Sequence, residues 1–184
     1  MKQNKVIKQV VAIGIGSAIF IALTTVQIPL VFIPNTALQI RAAVLAFFAA
    51  VFGPIAGLAI GLIGHALGDA FFYGGVWWSW VIPDGIFGLL VGLFASRYAI
   101  EAGSFNFQKC LFFNIVQIVA NAIAWIAVAP SLDILIYKEP ANKVFSQGVA
   151  AFAANVTIVI ILGSLLTWGY SKIKTKSSSL KEEN

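Results

Sequence analysis

An apolar stretch between Gly53 and Asp84 holds three side chains suited to acid–base or hydrogen-bond chemistry: His65, Asp69 and Asp84. An ionisable group inside a lipid-embedded segment costs on the order of a few kcal/mol, so such groups usually serve a function. His65 and Asp69 are one helical turn apart and share a helix face. This spacing predicts either contacts with a polar ligand or a hydrogen bond between the two side chains.

Aromatic rings and carboxamides extend the set of candidate ligand contacts. Three tryptophans lie in the same stretch, Trp77, Trp78 and Trp80. Tryptophans in such a position are typical of an aromatic belt at a membrane interface, and the alternative role, favoured for Trp78, is stacking on a flat ligand ring. A second set follows helical spacing further along the chain, Asn114, Gln117, Asn121 and Trp125. Carboxamides on a membrane helix need hydrogen-bond partners, which a ligand or a neighbouring helix can provide.

The composition places all of these side chains in a membrane protein. The chain has 184 residues, of which 60% are hydrophobic and 10% are charged, and its mean hydropathy is +0.93. Soluble domains carry about 25% charged residues. The net charge of +5 comes mainly from the two ends, which is typical of membrane-flanking anchors and does not indicate nucleic-acid binding. The single cysteine, Cys110, excludes an internal disulfide and indicates no zinc or redox site.

The elements that position the candidate side chains are membrane helices. Apolar segments predict six of them, at about residues 6–26, 37–52, 55–72, 80–98, 109–128 and 144–173. They predict an all-α integral membrane protein with one six-helix bundle, a single domain over 1–184, a long loop over 129–143 and a disordered tail over 177–184. The first apolar segment is too long for a signal peptide and is read as a retained helix.

The distribution of basic residues orients this bundle. Nine lysines and arginines fall on one side of the predicted helices and three, Arg41, Lys138 and Lys143, fall on the other. The positive-inside rule therefore puts both termini in the cytoplasm. Gln39, His65 and the other polar groups then converge in the outer half of the bundle, while the inner half is nearly all apolar. The pattern predicts a pocket that opens outward and is not a continuous pore.

Two of the charged positions have competing interpretations. Asp84 follows Pro83 and serves either as the N-cap of the fourth helix or as a ligand contact. Arg41 is most simply a residue that snorkels to the headgroups at the outer end of the second helix, and its alternative role is binding an anionic group.

Helix 1 carries a face of small residues, Gly14, Ala18 and Ala22, at four-residue spacing. Small residues let membrane helices approach closely, so this face predicts contact with another helix. The chain contains no Walker motif, HExxH, GxSxG or paired-cysteine metal site. Active transport would therefore need energy from elsewhere. An intramembrane enzyme that uses His65 and Asp69 as an acid–base pair is a rival hypothesis, and an autonomous channel or secondary transporter is another.

The chain resembles the substrate-binding S components of energy-coupling factor (ECF) vitamin transporters. The resemblance covers nearly the whole chain and is carried by the six-helix plan, the small-residue face of helix 1, the outer loop IPNTALQIR and, most specifically, the run LAFFAAVFGPIAGLAIGLIGHALGDAFFYGGVWWSWVIPDGIFGLLVGLF. The subfamily it is most similar to was once catalogued as uncharacterised membrane proteins and later linked to uptake of hydroxymethylpyrimidine or pyridoxine.

The resemblance implies a bacterial cell-membrane subunit that binds a small vitamin beneath a lid at 28–37, which includes Asn35. It implies docking through Gly14, Ala18 and Ala22 onto a transmembrane coupling (T) subunit, with two cytoplasmic ATPases that use the ATP, and no cofactor in this chain. Placed on these positions, the substrate site is expected to draw on the segment 129–143 and on Asn35, Gln39, His65, Asp69, Trp78, Asp84, Gln117, Asn121 and Trp125. No nucleic acid takes part.

Overall fold

The structure, a computed structural model, describes residues 2–31, 33 and 36–182. About 80% of the chain is helical, which confirms the all-α, membrane-compatible class. Three helices are long and apolar enough to cross a membrane, Pro54–Phe72, Phe107–Tyr137 and Ala141–Thr175. In chain order the helices are α1 Lys2–Ala22, α2 Arg41–Phe52, α3 Pro54–Phe72, α4 Trp78–Gly92, α5 Ala95–Tyr98, α6 Phe107–Tyr137, and α7, which begins at Ala141 and ends at Glu182.

A small hairpin replaces the predicted start of the second helix. Strand β1, Gln27–Pro29, pairs antiparallel with strand β2, Ala37–Gln39, in the register Ile28 opposite Leu38. The prediction that residues 37–40 are helical is therefore wrong, and α2 begins only at Arg41. The sequence pattern missed the strand because its hydrogen bonds go to a partner ten residues earlier, and helical periodicity does not report such pairing.

The predicted loop over 129–143 is wrong, since α6 continues through it to Tyr137. Within α6, two stretches adopt the wider π-helical turn, Ala122–Val128 and Asp133–Tyr137. Pro130 has no N–H to donate and its ring crowds the carbonyl one turn earlier, which ends an ordinary helix. The π turns before it change the hydrogen-bond spacing and let the helix continue.

Two other predicted boundaries also differ. The predicted helix over 80–98 is interrupted after Gly92, and a separate short helix, α5, follows. At the C-terminus α7 continues to Glu182, so a disordered tail from residue 177 is not observed over 177–182. No proline follows Pro140 in the chain, and the polar residues of this segment are compatible with helix.

Close packing of α3 against α4 sets the geometry of the site. A Cβ on Gly57 would collide with the carbonyl of Gly88, and a Cβ on Gly61 would lie 2.5 Å from the carbonyl oxygen of Asp84. Only glycine allows the two backbones this close approach. One turn beyond Gly61, the crossing brings His65 against Asp84.

Candidate substrate-binding cavity

A cavity of about 920 Å³ lies at the end of the bundle that carries the hairpin. Its walls are formed by the hairpin and its turn, the start of α2, the end of α3, residues 73–77 between α3 and α4, Trp80 at the start of α4, and the 133–147 region of α6 and α7. Its volume falls within the usual range of small-molecule sites, about 300–1,000 Å³. Three of the predicted substrate-binding residues line it, Gln39, His65 and Asp69.

Beneath the cavity lie four buried ionisable side chains, which we call the charge cluster: Arg41, His65, Asp69 and Asp84. Each is at most 5% exposed. His65 Nδ1 lies 2.8 Å from Asp84 Oδ2, and His65 Nε2 lies 3.4 Å from Asp69 Oδ1. With a hydrogen on Nδ1 donated to Asp84, Nε2 accepts from Arg41 Nη2 at 3.3 Å. Each ionisable side chain of the cluster therefore contacts another one, as buried ionic groups require.

Arg41 does not snorkel to the membrane surface, because it is 4% exposed and lines the cavity. Its guanidinium donates to Gln39 Oε1 and to Thr24 Oγ1, and it lies 4.8 Å from the ring centre of Phe20. The prediction missed this position because the hairpin, which the sequence pattern did not show, covers the start of α2. The arginine thus faces inward, and each of its three nitrogens already has a hydrogen-bond contact.

The structure contradicts one of the two roles predicted for Asp84, and contact with a ligand stays a prediction. Helix α4 begins at Trp78, so Asp84 lies within the helix and does not cap it. It binds His65 and does not line the large cavity, although it borders a second cavity of about 20 Å³. Its observed position is behind His65, where it fixes the orientation of the imidazole ring.

A third buried carboxylate, Asp133, lines the cavity wall. Sequence analysis missed it as an individual residue. Trp77 Nε1 donates to Asp133 Oδ1 at 2.8 Å, and Trp80 Nε1 donates to Asp133 Oδ2 at 2.8 Å. The Ser79 hydroxyl also donates to Oδ1. We call Asp133 with these three donors the carboxylate clamp. It joins the end of α6 to Trp77 and to the first turn of α4.

The clamp was difficult to predict because its members lie far apart in sequence. Asp133 is 56 residues from Trp77, in the segment that was predicted to be a loop. The resemblance did assign the segment 129–143 to the site, but only an α6 continuing to Tyr137 brings Asp133 opposite the tryptophans.

The tryptophans divide between the cavity and the surface. Trp77 and Trp80 line the cavity, whereas Trp78 is half exposed and does not. Trp77 stacks on Tyr137 with ring centres 4.1 Å apart. The backbone N–H of Trp78 donates to the Tyr137 hydroxyl at 3.1 Å. The cavity therefore has an aromatic wall. Trp77 and Trp80 contribute to it, whereas Trp78, the predicted residue, does not.

The carboxamides Gln117 and Asn121 of α6 lie inside the bundle. Gln117 and Asn121 are fully buried and bond to each other, Asn121 Nδ2 donating to Gln117 Oε1 at 2.9 Å. Neither lines the large cavity. Trp125 borders the small second cavity and packs edge-on against Trp80. A role for these three in substrate binding stays a prediction, as does that of Asn35, which lies outside the described residues.

Nothing in the described part of the chain forms a metal site. No group of three or more His, Cys, Asp or Glu side chains among those residues has an arrangement that could hold a metal ion. The chemistry available at the cavity is hydrogen bonding, charge pairing and stacking.

The small-residue face of α1 is exposed. Gly14, Ala18 and Ala22 all lie on the outside of the bundle, and a Cβ added to Gly14 would meet nothing within 4 Å. The opposite side of α1 packs inward through Gly16 and Phe20. The face is therefore not used for packing within this chain.

Fold and cavity define a class of protein, an all-α membrane-type bundle with a small-molecule-sized cavity at one end. The chain belongs to the family of ECF-type riboflavin transporter S components, whose sequence model matches residues 4–172. This confirms the resemblance. The family comprises membrane-associated transporter subunits, not enzymes, and implies association with T and ATPase subunits.

Bacterial relatives match along nearly their whole length. A UPF0397 protein of Streptococcus gordonii is 49% identical over 177 residues, covering 96% of this chain and 95% of the relative. A UPF0397 protein of Lactobacillus helveticus is 47% identical over 183 residues, covering 100% and 99%. No solved structure matches the chain significantly.

Proposed function

We propose that this chain captures a small water-soluble vitamin or vitamin precursor from outside the cell, as the S component of an ATP-driven importer. The observation that carries the proposal is the large cavity, which combines buried hydrogen-bonding groups with the rings of Trp77, Trp80 and Tyr137. A flat heteroaromatic ring can stack its face on the aromatic side chains of the cavity and form hydrogen bonds along its edge with the buried polar groups.

The proposed orientation puts the cavity outward. Arg41, Lys138 and Lys143 lie at the cavity end, whereas the other basic residues belong to the opposite end and the termini. At that opposite end Lys8 pairs with Glu101. The positive-inside rule supports a cytoplasmic assignment for the end with more lysine and arginine. The β1–β2 hairpin then serves as the outer lid.

For the substrate we favour the hydroxymethylpyrimidine or pyridoxine class, and riboflavin is the second candidate. The family name supports riboflavin, and the cavity volume of about 920 Å³ accommodates a three-ring molecule. Mass spectrometry of the small molecule released from the purified, denatured protein distinguishes the two candidates directly.

Transport by the proposed mechanism requires the T subunit and two ATPases. The purified chain alone should bind substrate, and proteoliposomes should accumulate it only when the other subunits and ATP are present. Uptake by the isolated chain would favour an autonomous transporter. Chemical turnover of the bound molecule would favour an enzyme that uses His65 and Asp69.

The proposed docking face is tested by the double substitution Ala18→Leu with Ala22→Leu. The larger side chains should keep a partner helix from approaching, because such helices pack through small residues. Complex formation should be lost while substrate binding by the isolated chain is retained. Ala153→Leu, at an exposed alanine of α7, is the matched control and should leave the complex intact. Normal assembly of the double variant would show that another surface docks.

A further inference from the structure

The charged and chargeable side chains that line the cavity differ in their partners within the part of the chain that the structure describes. They are Arg41, His65, Asp69, Asp133, Glu139 and Lys143. Arg41 contacts His65, His65 lies within ion-pair distance of Asp69, and Lys143 pairs with Glu139. Asp133 is the exception.

Asp133 has no such partner. Glu139 pairs with Lys143 at 2.7 Å, and Asp69 and Asp84 both lie within ion-pair distance of His65, which in turn contacts Arg41. Among the described side chains, no Lys, Arg or His lies within ion-pair distance of Asp133. A carboxylate that is 2% exposed and has no cationic partner is costly to keep in the bundle.

The three donors of the carboxylate clamp hydrogen-bond to this charge without neutralising it. The indoles of Trp77 and Trp80 and the hydroxyl of Ser79 are all neutral. An ionised carboxylate has about four acceptor positions, so one remains. Because Asp133 lines the cavity, a ligand can reach that position with an N–H group.

The same wall supplies ring surfaces for a positive charge. Trp77, Trp80 and Tyr137 surround Asp133 along the cavity. Aromatic faces attract ammonium and guanidinium groups through the ring quadrupole, more strongly when the contact excludes water. Carboxylate and rings thus favour the same ligand feature.

We propose that the cavity selects a nitrogen cation, a protonated amine on a heteroaromatic ring, whose N–H donates to Asp133 while its charge lies against the indoles. This inference rests on the proposed function and, within the favoured substrate class, selects members that carry a protonated amine over neutral ones such as pyridoxine. A carboxylate or phosphate ligand is disfavoured, because Arg41 already donates to Gln39 and Thr24 and contacts His65.

Pyridoxamine and pyridoxine make a matched pair of probes, since they share a ring and differ in an aminomethyl cation against a neutral hydroxymethyl group. Calorimetric titration of the purified full chain in nanodiscs should give pyridoxamine at least about tenfold tighter binding, from a charge-assisted hydrogen bond and a cation–π contact. Asp133→Asn should reduce the ratio of the two affinities to within about twofold. A purely structural role for Asp133 would weaken both probes equally and leave the ratio unchanged.

Glu101→Gln is the control, since it removes the same charge at the opposite end of the bundle, where Glu101 pairs with Lys8. It should leave the ratio as in the wild type. An unchanged ratio in Asp133→Asn would overturn the proposal. If that variant does not fold, measurements on the wild type still test the proposal. Binding of pyridoxamine that is equal to or weaker than that of pyridoxine overturns the charge inference, and so does release of a neutral or anionic molecule in mass spectrometry. Either result leaves the S-component function standing. A wild type that binds neither probe and releases no small molecule counts against both.

Discussion

The charge cluster and the carboxylate clamp both bury carboxylates at the same end of the bundle, but they stabilise them differently. In the cluster, Asp84 and Asp69 both lie within ion-pair distance of His65, which also contacts Arg41. In the clamp, Asp133 receives only neutral donors from the described residues. A carboxylate paired within the protein has no remaining charge to offer a ligand, whereas one held by neutral dipoles does. Asp84 therefore serves to position His65, whereas Asp133 can select a ligand by its charge.

The largest effect should come from breaking the cluster at Asp84. Asp84→Ala leaves His65 and Arg41 buried without this carboxylate, and removing one partner of a buried pair costs about 3–5 kcal/mol. The unfolding temperature in detergent should fall strongly. Asp84→Asn retains a hydrogen-bond acceptor and should lose less. If Asp84→Ala unfolds like the wild type, Asp84 is not a structural partner and the comparison fails.

A smaller effect is expected at the glycine that brings the two helices together. In Gly61→Ala the new Cβ would lie 2.5 Å from the Asp84 carbonyl oxygen, so the backbones must separate, at a cost of about 1–3 kcal/mol. The shift weakens the contact between His65 and Asp84 and leaves the clamp in place. Thermal unfolding measures the cost.

Gly14→Ala is the control for that substitution, because a Cβ there meets nothing within 4 Å. Alanine is a better helix former than glycine, so this variant should be neutral or slightly stabilised. Equal unfolding temperatures for the two glycine variants would show that α3 and α4 can separate without strain.

The smallest effect separates the two oxygens of the clamp. Trp80→Phe removes the indole N–H that donates to Oδ2, while Trp77→Phe leaves Oδ1 with the Ser79 hydroxyl. Loss of a neutral hydrogen bond costs about 0.5–1.5 kcal/mol. Trp80→Phe should therefore weaken pyridoxamine binding more than Trp77→Phe does. The opposite order would place the ligand nearer to Oδ1.

Much of the candidate site was predictable from local pattern. His65 and Asp69 stand out because charge is rare in an apolar stretch, and the glycine series before them predicts close packing with a neighbouring helix. Both residues line the cavity. The exposed face of Gly14, Ala18 and Ala22 was equally visible, since a small-residue stripe without polar neighbours is a local property of one helix.

Other features depended on partners distant in the chain. Arg41 reads as a surface residue until the β1–β2 hairpin covers it. Asp133 reads as a loop residue until the π turns carry α6 past Pro130. Asp84 reads as a cap until α4 is seen to begin at Trp78. Each error came from assigning a role by sequence neighbourhood where a contact across the bundle determines it.

By itself, the sequence determined the membrane class, the helical composition, the polar end of the bundle and the family, because hydropathy, charge distribution and residue spacing are properties of short segments. The tertiary structure alone decided which polar groups meet. Helix packing brings His65 into contact with Asp84, 19 residues further along the chain, and Trp77 into contact with Asp133, 56 residues further along. These contacts determine which buried charges have a charged partner within the protein and which one can face a ligand.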